Sequence, residues 1–162
     1  MYRAIVNWAL ASYHRFMSVR RKRISDEESL AHLRRAAELG DWWAQNKLGV
    51  RFATGNGVGQ DQVEAVRWYR ESAEAGNPLG AGNLGWAYQS GHGVTQNLEA
   101  AAEWYIRAAR GGHAESQFNL ALLYLNGSGV PRDREKAISL LKSASRRLTR
   151  AAELLSQLKS ET

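Results

Sequence analysis

The chain has 162 residues, 44% of them hydrophobic and 23% charged, with no cysteine and only two prolines, Pro78 and Pro131. That composition suits one soluble globular domain with a real core, and it excludes a disulfide framework and any cysteine-based metal site or nucleophile. The net charge of +6 comes from residues 1–25, which hold Arg3, Arg15, Arg20, Arg21, Lys22 and Arg23 and no acid; the remainder balances 16 basic against 16 acidic groups.

Residues 2–18 are expected to form a helix. The stretch from Ala4 to Ser12 is largely apolar, although Asn7 and Trp8 interrupt it. The main charge cluster follows this stretch, whereas a signal peptide places its charge first. No run of 18 apolar residues occurs, so no transmembrane helix is expected. The chain therefore reads as an uncleaved cytoplasmic protein. After the basic run Arg20 to Arg23 comes Ser25-Asp26-Glu27-Glu28, which has the spacing of a helix capping box. Leu30, Leu33 and Ala37 continue that helix to Gly40.

From Gly40 onward the sequence repeats with a period of 36 residues. Gly40, Gly76 and Gly112 stand in register, as do Leu48, Leu84 and Leu120, and Phe52, Tyr88 and Tyr124. A Gly-x-Gly-Val loop recurs at Gly55 to Val58, Gly91 to Val94 and Gly127 to Val130. Later come Ala65, Ala101 and Ala137, then Trp68-Tyr69, Trp104-Tyr105 and Leu140-Leu141, then Ala73, Ala109 and Ser145. A fixed period of this length is the mark of stacked helix pairs.

The columns have separable physical roles. Leu48 and Phe52 lie at i and i+4, on one helix face. Gly49 and Gly85 follow the leucine, where a missing side chain admits a neighbouring helix; Ala121 takes that place in the third unit. The loop glycines suit the left-handed backbone at a helix C-terminus. Asp61, Asn97 and Asp133 are good N-caps for the second helix. After the third unit Leu148 stands where the closing glycine would be, and Leu148 to Leu158 is helical by period. The expected organisation is a degenerate N-terminal helix pair over 1–39, three repeats over 40–147, and a C-terminal capping helix over 148–162.

Ala44, Leu48-Gly49, Phe52, Gly55, Gly57-Val58, Asp61, Ala65, Trp68-Tyr69, Ala73 and Gly76 together resemble the Sel1-like repeat, a relative of the tetratricopeptide repeat. The resemblance implies an all-α solenoid of antiparallel helix pairs wound as a right-handed superhelix. It also implies a protein-binding adaptor or scaffold, often in bacterial signalling or envelope-linked processes, and not an enzyme. In related repeats the first helix of each pair lines the concave face. Its positions off the buried face are Trp43, Asn46 and Val50; Leu79, Gly82, Trp86 and Gln89; and Glu115, Phe118, Leu122 and Leu125. The expected partner is a peptide or amphipathic helix of another protein, anchored on Trp86, Phe118 and Leu122. Self-association through the same apolar surface is the nearest alternative.

The run Arg20, Arg21, Lys22, Arg23 reads first as a solvated turn. Placed after an apolar helix, it could also attract an anionic membrane surface or an acidic partner. Nucleic acid is the weakest reading, since no such charge recurs on the expected concave face. No cofactor or metal is expected. His14, His32, His92 and His113 form no His-Glu-x-x-His pattern, and Gly55 to Gln60 lacks the preceding strand and the Lys-Ser/Thr of a phosphate loop.

Overall fold

The computed structural model describes residues 2–19 and 25–160. Among these the secondary structure is helical throughout: α1 (Tyr2–Val19), α2 (Asp26–Glu38), α3 (Trp42–Thr54), α4 (Gln62–Glu74), α5 (Pro78–Ser90), α6 (Leu98–Arg110), α7 (Ala114–Asn126), α8 (Arg134–Ala144) and α9 (Thr149–Ser160). The chain forms two compact units, residues 1–80 and 81–162.

In the first unit α1 packs on α2, α2 on α3, and α3 on α4. The capping box forms as expected: Ser25 Oγ accepts from the Glu28 amide, and Glu28 Oε2 accepts from the Ser25 amide. Leu33, Ala36, Ala37, Ala44, Leu48 and Trp68 make the core, with Leu30, Trp43 and Phe52 packed at its edge. Helix α1 is tied down by polar contacts. Ser29 Oγ donates to the Ser18 carbonyl, the Nδ1 atoms of His14 and His32 lie 2.8 Å apart, and Arg15 pairs with Asp41 at 3.2 Å. Asp41 also caps α3 through the Ala44 amide. The turn from α4 into α5 is closed by Ser72 Oγ donating to the Trp42 carbonyl at 2.6 Å, while Asn77 Nδ2 donates to Ser72 Oγ at 2.8 Å. Both side chains are buried, so these bonds replace water that cannot reach them.

In the second unit α6 packs on α7, α7 on α8, and α8 on α9. One core joins Ala101, Ala102, Tyr105, Leu120 and Leu123 with Val130 at its edge. Another joins Ala121, Ala137, Leu141 and Ala144 to Ala151 and Leu155 of α9. Helix α8 ends at Ala144 without a glycine. Its chain turns through residues 145–147, where the amides of Arg147 and Leu148 both bond to the Ala144 carbonyl. Helix α9 then folds back onto α7 and α8.

Three loop features recur in both units. Gly55, Gly91 and Gly127 hold φ of 74°, 76° and 68°, the left-handed geometry that ends a helix. The amides of Asp61, Asn97 and Asp133 reach back to the carbonyls of Phe52, Tyr88 and Tyr124. The same three side chains accept from the amides of Glu64, Ala100 and Lys136, each satisfying a donor that the start of a helix leaves without a partner. At the third loop a Cβ on Gly129 would lie 2.3 Å from the Leu98 backbone, so the loop can rest on the start of α6 only as glycine.

Two close helix approaches run through glycines of the repeat columns. A Cβ on Gly49 would sit 2.7 Å from two ring carbons of Tyr69, and a Cβ on Gly85 would sit 2.7 Å from Tyr105. Both rings are buried, and burial pushes both phenols up to about 12. In the third repeat Ala121 stands in the glycine column and Leu141 in the tyrosine column, so a methyl appears where the ring is absent. Gly49→Ala is expected to cost about 1–3 kcal/mol by overpacking, read as a thermal midpoint lowered by several degrees. Gly49→Ala with Tyr69→Leu should recover part of that loss in a double-mutant cycle. Gly59→Ala, where a Cβ meets nothing within 4 Å, should leave the midpoint unchanged.

His113 precedes α7 and is half-buried. Its Nδ1 lies 2.8 Å from Ser116 Oγ, and a Cβ on Gly82 of α5 would come within 2.6 Å of the same nitrogen. Burial lowers its pKa below the ordinary 6.5. His14 is lowered too, first by burial and then by His32 and Arg35. The unfolded chain therefore binds these protons more tightly, so stability is complete above pH 6.5 and falls as pH drops below it. The denaturation midpoint should be lower at about pH 5.5 than at about pH 7.5. His113→Asn should reduce that difference.

Candidate partner-binding face

The residues singled out from the sequence lie on α3, α5 and α7, but their environments differ. In the first unit Trp43 is half-buried at the edge of the core, with the Lys47 ammonium 5.6 Å from its ring centroid. Val50 is exposed and Asn46 is buried. Trp43 and Val50 share a cleft of about 800 Å³ with Leu30, Leu33, Lys47 and Arg51. Asp26 and Glu27, at the start of α2, bring negative charge to its rim. The cleft is thus lined by apolar side chains together with charges of both signs. Leu79, at the start of α5, is exposed, and its amide is held by Asn77 Oδ1 at 3.1 Å.

In the second unit Trp86 is 46% exposed and stacks on His92, with centroids 4.8 Å apart and planes inclined by 15°. His92 is the middle residue of the Gly91–Gly93 loop. The loop glycines bend the chain back so that this side chain lies against the last turns of α5. A stacked neighbour restricts the indole to few orientations. Gln89, one turn further along α5, is half-buried, and its Oε1 accepts from the Tyr105 hydroxyl at 2.6 Å. Asn119 Nδ2 donates to the same hydroxyl at 3.3 Å. This chain of bonds joins α5, α6 and α7, and it fixes a polar patch beside the exposed indole.

Leu122 on α7 occupies the Trp86 column one repeat later and is half-buried. Phe118 and Leu125 pack against the cluster that holds α9. The Arg150 guanidinium of α9 lies 4.5 Å over the Phe118 ring and pairs with Glu115. The α7 face is therefore partly covered by the chain's own last helix. In the column Asn46, Gly82, Phe118 the last two meet different neighbours: Gly82 meets His113 and Ser116 at α7, and Phe118 meets Arg150 of α9. The basic run Arg20, Arg21, Lys22, Arg23 lies outside the described residues.

Sequence reasoning passed over Leu30, Lys47 and Arg51 at the first cleft, and His92 beside Trp86. His92 carried one signal, being the only aromatic among the loop middles Asn56, His92 and Ser128. Among the described residues no group of three or more His, Asp or Glu side chains could hold a metal ion. None of their helices is long and apolar enough to cross a membrane.

The Sel1 repeat family model matches residues 4–41, 44–77, 78–113 and 114–147. The first match covers the helix pair that looks degenerate by its columns. Among solved structures, a Sel1 repeat protein from Oxalobacter formigenes is similar at 36% identity and a TM-score of 0.73, over 79% of this chain and 97% of that one. The antigen c5321 of uropathogenic Escherichia coli, described as displaying an SLR fold, is similar at 28% identity and a TM-score of 0.86. That likeness covers 96% of this chain, which spans 34% of the antigen's length. Helicobacter pylori cysteine rich protein B shares the fold at 20% identity and a TM-score of 0.56. Comparison with curated proteins returned no match. Proteins of this fold are generally non-catalytic scaffolds for protein–protein contact. Four consecutive matches over most of its length place this chain in the Sel1 repeat family, with an all-α solenoid fold.

Proposed function

We propose that the protein captures a helix or extended peptide of a partner protein on the faces of its first helices, with Trp86 as the anchor. The exposed indole stacked on His92 carries this reading. A large aromatic left half in water at a non-repeating position of a packed helix is not needed by the core, which Leu84 and Tyr88 already serve. Large, rigid aromatics of this kind supply most of the energy at peptide-binding surfaces. Gln89 beside it offers an amide for a partner's backbone, and Leu122 extends the apolar surface along α7. Phe118, beneath Arg150, would contribute only if that guanidinium moved aside.

The first unit offers a second surface of the same kind, the cleft holding Trp43 and Val50. Lys47 and Arg51 on one side and Asp26 and Glu27 on the other would select a peptide carrying both charges around an apolar centre. No reaction is involved. The mechanism is a preformed surface that loses little freedom on binding.

Affinity capture followed by titration of the recovered partner tests this reading. Trp86→Ala should weaken binding by roughly 30-fold or more, the scale of losing a hot-spot residue, and leave the helical circular dichroism unchanged. Val63→Ala, at an exposed apolar position on α4, should bind as the unsubstituted chain does. Equal capture by the Trp86→Ala and Val63→Ala chains would remove Trp86 from the site.

A further inference from the structure

One repeat column marks the ends of the second helices, and its charge changes sign along the chain. Helices α2 and α4 end on Glu38 and Glu74, α6 ends on Arg110, and Arg146 stands one period later, just past the end of α8. A cation suits the negative end of a helix and a glutamate does not. The two glutamates show that the fold accepts either charge there, so the helix dipole alone does not dictate the arginines. The residue at the start of each following helix shows the same change: Asp41 precedes α3, whereas His113 precedes α7 and Thr149 opens α9. Residues 142–150 hold Lys142, Arg146, Arg147 and Arg150 and no acid. The α6–α7 and α8–α9 turns are neighbours, because Arg150 near the start of α9 pairs with Glu115 near the start of α7. That pair occupies Glu115. No carboxylate pairs with Arg110, Lys142, Arg146 or Arg147 among the described residues, and all four are exposed.

We infer that this edge of the second unit binds an acidic, extended segment of a partner protein, whose Asp and Glu carboxylates meet Arg110, Lys142, Arg146 and Arg147. Charge complementarity selects this occupant. Guanidinium groups hold carboxylates through paired N–H donors, and all but Lys142 of these cations are arginines. Nucleic acid fits less well. Single strands are held by aromatic rings that stack on bases as well as by cations. The rings that could stack here, Trp104 and Phe118, each lie under a guanidinium at 4.5 Å, of Arg107 and Arg150 respectively. A duplex binder makes about six to ten phosphate contacts, more than these cations supply. An extended run of about eight acids spans roughly 26 Å, enough to pass both turns where helix layers lie about 10 Å apart. The turns lie at the side of a stack of helix pairs, so the stacking of units does not use them. Trp86 and His92 lie at the loop before α6, and the 13 residues of α6 put this edge about 20 Å from that loop. The two surfaces can therefore be lost independently.

Fluorescence anisotropy with the whole chain and a labelled peptide of about eight glutamates tests the inference. The peptide should bind at about 50 mM salt and more weakly at about 500 mM, as the charges are screened. Arg146→Gln with Arg147→Gln should weaken binding about fivefold or more. Both positions are exposed, so the helical circular dichroism should persist. Arg34→Gln with Arg132→Gln makes the same change in net charge at exposed positions away from this edge. That chain should bind within about twofold of the unsubstituted one, and Trp86→Ala should bind unchanged. The inference is overturned if the peptide does not bind, or if the two double variants lose affinity equally, which would mean attraction by net charge alone. It is also overturned if a single strand of about 16 nucleotides binds more tightly than the peptide and is weakened by Arg146→Gln with Arg147→Gln, since the edge would then be a nucleic-acid site.

Discussion

The contact between a glycine on the first helix of a repeat and a tyrosine on the second is the constraint on which the rest depends. Gly49 faces Tyr69 and Gly85 faces Tyr105, each with no room for a methyl group. A glycine inside a helix costs about 1 kcal/mol in backbone freedom. Here the close approach offsets that cost by burying a whole aromatic ring. The approach also sets the spacing at which Leu48 and Leu84 become fully buried, and it fixes the rotation of each first helix about its own axis. Once that rotation is set, the positions left facing outward are determined. Val50 and Trp86 emerge there because the ring-against-glycine contact holds the opposite side down. The third repeat reaches the same result with Ala121 and Leu141. What is required is therefore the summed volume of the pair, not the identity of either member.

The same constraint explains why the repeat was readable as a fold. Gly, Tyr, Leu and the loop glycines recur because each copy needs the same local geometry, and a 36-residue period exposes that need directly. The N-caps, the capping box at Ser25 and the left-handed loop glycines were legible for the same reason. They are local, and a few residues of sequence contain all of the chemistry. The end of α8 was harder to read, since Ser145 and Leu148 lack the glycine signal. The chain turns there because the Ala144 carbonyl accepts two amides and α9 finds an apolar seat at Ala137 and Leu141.

The candidate surface was legible only in part, because a position that fails to repeat has two physical explanations. It can be free of the core, as Trp86 is, or it can meet a neighbour that itself differs from copy to copy. Gly82 and Phe118 belong to the second kind. Gly82 is small because His113 and Ser116 press on it, and Phe118 is large because α9 reaches it with Arg150. A single sequence contains no term that separates these cases, since the distinction lies in packing between residues more than 30 positions apart. His92 was obscured for the opposite reason: it varies in sequence like a free loop residue, yet it restricts the most exposed aromatic of α5.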